Sequence, residues 1–324
     1  MIEINKSKIK IWSTIGQRAT FGMVAYEIAN KINNLMVLTC DVSTSAGLDR
    51  FRKNFPEKFL ELGISEQNMI GVAAALSNEN FKVMTTSFAP FQTMRCCEQI
   101  KVNLGYMKQK ITMVGLASGL VLGPLGYTHC CIEDVGVLRS IPNLTIISPA
   151  DGLELAKSVV ASLNHNQSTY IRLTGSSNAP IIYNKDYNFK IGKPVVLKKG
   201  KDVAIFATGS MVKVAIDVSK RLEEEEISAS VINIHTIKPM DTSIIKKYLK
   251  SKLFVSIEEH NIMGGLGSAI SEETSKIGNG PKHIFCGVND AYLHHGDYKH
   301  LLENYDLTAD KIIKKIKKNL KVRS

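Results

Sequence analysis

The chain predicts an α/β protein built of two doubly wound units. Short β-branched or apolar runs alternate with stretches of helical periodicity, which is the pattern of a mostly parallel sheet covered by helices. The pattern lapses once, in the polar and unpatterned stretch Ile181–Asn188, and resumes at Lys193. With 324 residues, 44% of them hydrophobic, the chain can fill about two cores of ordinary size. The expected division is a first unit over residues 1–180, a linker over 181–192 and a second unit over 193–324.

In chain order, residues 18 to 32 carry a helical pattern, and Leu35–Cys40 reads as a buried strand ending at Asp41. Gly63–Met69 is rich in turn formers and leads into the small, apolar run Ile70–Leu76, a buried helix. Phe81–Thr86 is a second strand, followed by a helix near 90 to 104; Ile111–Gly115 and Leu144–Ile147 are further strands. The second unit offers Val203–Ala207, Ala229–Ile234 and Leu253–Ile257 as strands. Gly264-Gly265-Leu266-Gly267 then opens a helix. Such a turn can bind phosphate, but without the rest of a dinucleotide spacing a tight packing turn is the stronger expectation. Near the end, Lys311–Lys318 places Ile312, Ile313 and Ile316 at helical spacing, a final helix with a solvated basic face. Ligands of parallel sheets bind beyond the carboxyl ends of the strands. Asp41, Phe88 and Gly115 are expected just there.

The net charge of +11 suits anionic partners in general. No nucleic-acid motif accompanies it, and no apolar run approaches the roughly 20 residues of a membrane span. The start, Met1–Lys6, has no signal-peptide pattern. The six cysteines include the adjacent pairs Cys96-Cys97 and Cys130-Cys131, which neither pair readily nor show metal-ligand spacing. Reduced thiols in a cytoplasmic protein, with no metal site, are the expectation.

Glu66 is the most informative residue. It stands among turn formers directly before the buried helix. Two explanations compete. An acid at a helix start is favoured by the macrodipole. Alternatively, a buried carboxyl held protonated is a proton donor.

The surrounding words favour the second. Gly63-Ile64-Ser65-Glu66-Gln67-Asn68, then Gly123-Pro124-Leu125-Gly126-Tyr127-Thr128-His129, Glu133–Asn143 and Ser148-Pro149-Ala150-Asp151 resemble, in order and approximate spacing, the transketolase family of thiamine-diphosphate enzymes. The resemblance covers nearly the whole chain and is to the C-terminal half of a transketolase, here a separate polypeptide. It implies a pyrimidine-binding domain followed by a transketolase C-terminal domain. Glu66 matches the glutamic acid that bonds N1′ of the aminopyrimidine. Phe88 and Phe91 match the rings that hold that heterocycle, although spacing alone would make them core residues. Asp41 matches an acid near the thiazolium, and His129 a histidine of the substrate channel.

The family's Gly-Asp-Gly block with its downstream Asn is missing, since Asp151-Gly152 and Gly296-Asp297 lack the context. The resemblance therefore implies a partner chain that carries this motif and holds the diphosphate and a Mg²⁺ or Ca²⁺ ion, in an α2β2 assembly acting on a small sugar. Oxygen ligands suit such a metal.

Substrate positions depart from the family. Leu125 stands for an acid that reads substrate hydroxyls; Gly175, Ala117 and Gln17 stand for three basic residues that grip a sugar phosphate; Ser45 is retained. An acceptor other than a simple sugar phosphate is therefore expected. Two other classes stay open: the β subunit of a 2-oxo-acid dehydrogenase or related decarboxylating enzyme, and a non-catalytic regulatory relative. The Thr-His loop and the Leu-Arg-Ser-Ile-Pro-Asn run oppose the former, and retention of Glu66 opposes the latter.

Overall fold

The computed structural model describes residues 2–292 and 295–321. The first unit opens with α1 (Lys6–Ala29), whose start Asn5 caps through its side chain to the Lys8 N–H. Gly16, at φ 78°, breaks α1 into two helices, so the periodicity expected from residue 18 begins just after the break. β1 (Leu35–Thr39) follows, then α2 (Asp49–Asn54), β2 (Phe59–Glu61), α3 (Glu66–Asn78) and β3 (Lys82–Phe88).

The single helix expected near 90–104 is instead three pieces: α4 (Ala89–Gln92), α5 (Cys97–Gln99) and a π-helical turn, Ile100–Tyr106. Side chains compete for the backbone at the break. Gln92 Oε1 accepts the Ser87 N–H at 2.9 Å, and the Thr93 hydroxyl bonds the Ala89 carbonyl at 2.6 Å. β4 (Ile111–Leu116), α6 (Asp134–Arg139), β5 (Leu144–Ile147), α7 (Gly152–Ser162) and β6 (Ser168–Arg172) complete this run. Gly115 lies inside β4 rather than just after it, and a Cβ there would meet the Tyr170 hydroxyl at 2.5 Å.

The later elements are β7 (Val195–Lys198), β8 (Val203–Ala207), α8 (Met211–Glu223), β9 (Ala229–Asn233), β10 (Thr236–Lys238), α9 (Ser243–Tyr248), β11 (Leu253–Asn261), α10 (Leu266–Ile277), β12 (Lys282–Val288), α11 (Tyr298–Asn304) and α12 (Ala309–Lys321). A seven-stranded sheet runs β10-β5-β6-β4-β3-β1-β2, and a five-stranded sheet β12-β11-β8-β9-β7. Among the described strands, only β10 and β7 pair antiparallel within them.

Both sheets are covered on both faces. Leu35 and Val37 pack toward α1, α2 and α7, whereas Met36 and Leu38 pack toward α3, α6 and the π-helical turn. This is the period-2 alternation of a strand, with apolar residues on both sides because both sides are buried. In the second sheet, α8, α11 and α12 cover one face and α9 and α10 the other. Ile312, Ile313 and Ile316 of α12 are buried, leaving Lys311, Lys314, Lys315 and Lys318 on the outer face.

Candidate functional site

The ends of β1, β3 and β4 lie side by side, because β3 pairs in parallel with both neighbours. Past β1 the chain turns through Asp41 at φ 57°. The Asp41 N–H donates to Glu61 Oε1 at 2.7 Å, and the Gly63 N–H to the same oxygen at 3.1 Å. Glu61 thus ties the turn after β1 to the approach to α3. Asp41 is exposed, and Ser45 sits half-buried a few residues on.

Glu66 is the first residue of α3 and only 3% exposed. A helix N-terminus favours a negative charge, and two side chains meet this one. Arg95 Nη1 donates to Oε2 at 2.8 Å, and the Ser87 hydroxyl lies 3.4 Å from Oε1. The Arg95 guanidinium also stacks over Phe91, 4.0 Å from the ring centre. Phe91 and Phe88 meet edge-on with centroids 6.3 Å apart, and His129 meets them at 5.3 Å and 6.2 Å. Thr128 Oγ1 lies 2.9 Å from His129 Nδ1.

The fold therefore brings Glu66, Phe88, Phe91 and His129 into one chain of contacts with Arg95 as the link. Among the described residues, Asp41 and Ser45 share no hydrogen bond, ion pair or ring contact with that cluster. Burial pushes the Cys40 thiol up to about 11 and Cys96 to about 12, so neither neighbour is a nucleophile near neutrality.

The departure positions are uncharged in place. Gln17 is buried, donates to the Pro149 carbonyl at 2.9 Å and leaves its own Oε1 without a partner. Ala117 is buried at φ 51°, and Gly175 adopts φ 77°, which favours glycine over any cationic side chain. Leu125 is 57% exposed.

Arg95 was not anticipated from sequence, because no motif marks it and the helix expected there would have turned it elsewhere. Glu258-Glu259-His260, three ionisable residues near the end of the apolar strand β11, are all buried, and charge in an otherwise apolar run is the sequence signal that marks them. The glycine turn before α10 is a packing turn. Glu258 accepts the Leu266 and Gly267 N–H groups at 2.6 and 2.8 Å, taking the donors a phosphate would need. A Cβ at Gly267 would meet the Phe285 ring at 2.3 Å. Among the described residues no group of three or more His, Cys, Asp or Glu side chains is gathered as a metal would require, and no helix is long and apolar enough to cross a membrane.

Comparison with known proteins gives the family. Residues 13–179 match the transketolase pyrimidine binding domain, and residues 192–312 the transketolase C-terminal domain. The chain is 35% identical to one subunit of the apulose-4-phosphate transketolase from Actinobacillus succinogenes, over 86% of this chain and 90% of that one. It is 33% identical to the 6-deoxy-6-sulfo-D-fructose transketolase subunit of Clostridium sp. (strain MSTE9), over 92% of each. A solved split gene transketolase, described as an inactive beta4 tetramer, superposes with a TM-score of 0.85 at 33% identity, covering 96% of this chain and 99% of that one. The chain belongs to the transketolase family, whose members depend on thiamine diphosphate.

Proposed function

We propose that this chain is the pyrimidine-binding and C-terminal subunit of a two-chain transketolase that moves a two-carbon ketol unit to an aldehyde or ketone sugar acceptor. The observation that carries the proposal is the buried Glu66 carboxyl at the head of α3, joined through Arg95 to the Phe88, Phe91 and His129 rings. A secluded carboxyl beside a wall of aromatic edges fits a flat, nitrogen-bearing heterocycle. When bound, thiamine diphosphate supplies a carbon nucleophile at C2 of its thiazolium ring.

The chain's own residues prepare for that chemistry. The Glu66 carboxyl would exchange a proton with the pyrimidine edge, and for this the Arg95 guanidinium, which pairs with Oε2 at 2.8 Å, would have to give that oxygen up. Phe88 and Phe91 would hold the ring between their faces and edges and keep water from it. Asp41 lends negative charge toward the thiazolium. His129, its Nδ1 beside the Thr128 hydroxyl, offers Nε2 to a substrate oxygen. Ser45 and Leu125 line the substrate side, and the loss of cationic groups at Gln17, Ala117 and Gly175 favours an acceptor other than a simple sugar phosphate.

The missing Gly-Asp-Gly block supports a partner chain that supplies the diphosphate and metal site for Mg²⁺ or Ca²⁺. The similarity to one subunit of an apulose-4-phosphate transketolase and to a split gene tetramer supports an α2β2 assembly. We place this enzyme in the cytoplasm. The test is reconstitution with a chain bearing that motif. Ketol transfer is expected from the mixture and none from this chain alone; robust transfer by the single purified chain would overturn the proposal.

A further inference from the structure

The segment Leu120–Cys130 carries His129 and Leu125, yet its two ends are held by the second unit. Gly119 and Cys131 close the base through paired backbone bonds of 2.7 and 2.9 Å. Just inside that base, the Leu120 N–H donates to Glu259 Oε1 at 2.7 Å. Glu259 belongs to β11, is 1% exposed, and its other oxygen accepts the Ser210 hydroxyl at 2.6 Å and the Tyr298 hydroxyl at 2.7 Å. The Glu259 carbonyl accepts Arg172 Nη2 at 2.7 Å, and the same nitrogen donates to the Cys131 carbonyl at 3.1 Å.

Leu120 and Cys130 are themselves part of the apolar core formed by β8, β11 and α8. Gly119, at φ 74°, has no room for a Cβ, which would fall 2.3 Å from Glu259 Oε1. The far side of the segment is gripped as well. The Gly296 N–H donates to the Gly123 carbonyl at 3.3 Å, and the Tyr127 and Tyr305 hydroxyls meet.

We propose that Glu259 is a positioning residue that sets the Leu120–Cys130 segment, and through it His129 and Leu125, for the sugar acceptor. The second unit thereby tunes acceptor selection from beneath the loop, through a carboxylate that touches no substrate. Three donors from three separate elements converge on one carboxylate, so its removal frees the loop's first N–H and the hydroxyls of Ser210 and Tyr298 together. A buried donor that loses its partner is costly, and the segment's exposed residues Pro124, Leu125 and Thr128 would feel the loss of one of its anchors. The proposal rests on the transketolase reading only for the identity of what the loop faces.

The test compares Glu259→Ala with Glu259→Gln. Glutamine keeps an acceptor for the Leu120 N–H, and the two hydroxyls can rotate to accept from its amide. In the full chain, amide hydrogen exchange over residues 120–130 is expected to rise roughly tenfold or more in the alanine variant, as for a lost charge-assisted bond. Glutamine should restore most of the protection. In the reconstituted pair, with hydroxypyruvate as donor and the unphosphorylated aldose D-glyceraldehyde as acceptor, the alanine variant should raise the acceptor KM by roughly tenfold. Half-saturation by thiamine diphosphate should stay within about threefold of the unmodified pair. Unchanged exchange over 120–130 would overturn the proposal. So would exchange rising throughout the chain with no rescue by glutamine, or cofactor saturation weakening together with acceptor binding. If the unmodified pair transfers nothing, the functional reading fails, and the exchange measurement alone decides the positioning role.

Discussion

The two units share a plan and use it in opposite ways. In each, an acidic residue stands beyond a parallel strand or at the helix start that follows one. In the first unit Glu66 heads α3 and is answered by Arg95, whose side chain is 42% exposed. In the second, Glu258, Glu259 and His260 stand near the end of β11 and are all buried. Glu258 caps α10, Glu259 holds the loop of the first unit, and His260 accepts the Gly136 N–H at 3.2 Å. The strand-end rule locates ionisable groups in both. What differs is the cover. The second unit's strand ends are roofed by the first unit, so their polar groups are bonded and serve as fasteners, whereas the cover over Glu66 is the side chain of Arg95, itself 42% exposed.

That contrast can be broken or sharpened by substitution. The largest effect is expected at Glu66. Glu66→Gln should leave the fold intact and slow hydrogen–deuterium exchange at the cofactor's C2 by about 10²–10⁴-fold in the reconstituted pair, the usual worth of a positioned proton donor. Exchange at the unmodified rate would remove Glu66 from that role.

Next comes the buried Asp134–Arg172 pair. Arg172 Nε lies 2.8 Å from one Asp134 oxygen, and the Tyr170 hydroxyl donates to the same oxygen at 2.7 Å. Arg172→Met leaves a buried carboxylate without its cation and should cost about 3–5 kcal/mol in denaturant melts. Adding Asp134→Leu should recover part of that loss.

A smaller, pH-dependent effect is expected at His283, where burial holds the imidazole down to about 4 against an ordinary 6.5. Its Nδ1 bonds the Ser271 hydroxyl at 3.0 Å and its ring stacks on Phe285. Between those two values the unfolded chain binds the extra proton and the folded one does not. Stability is therefore full above pH 6.5 and is lost as pH falls toward 4. Compared with His283→Gln, the natural chain should lose roughly 2–3 kcal/mol more over that window. Parallel pH curves for the two proteins would show that this histidine titrates normally when folded.

The smallest effect on stability is expected at Leu125, whose exposure makes Leu125→Asp neutral within about 0.5 kcal/mol. Its consequence should lie in acceptor choice, read as a change in the ratio of kcat/KM between hydroxylated and deoxygenated acceptors. An unchanged ratio would show that this position does not face the acceptor.

Much of this was legible beforehand, for local reasons. The strands at 35–40, 203–207 and 253–257 are apolar on both faces because both faces are covered, so a continuous run sufficed to find them. Glu66 stood out as a charge beside a small-residue helix. The break at Thr93–Cys96 was not visible, because it arises from side-chain bonds of Gln92 and Thr93 whose partners are set by tertiary placement. Arg95 followed it out of view: its pairing with Glu66 spans 29 positions in sequence. Glu259 was passed over because its bonds reach Leu120 and Ser210, contacts that no short pattern encodes. In general, what depends on neighbours a few residues away was readable, and what depends on the meeting of the two units was not.

The short strand β10 ties the two units in a further way. It is drawn from the chain of the second unit but lies against β5 at the edge of the first sheet, its Lys238 ammonium bonded to the Arg139 carbonyl at 2.9 Å. Cutting the chain within 181–192 and discarding the later part would strip that cover from Leu144–Ile147, a wholly buried apolar strand, and expose an unpaired edge of the kind that recruits other chains. The first unit should therefore be insoluble as a fragment. A break in the gene between the two units should accordingly be selected against, so that both travel as a single cassette.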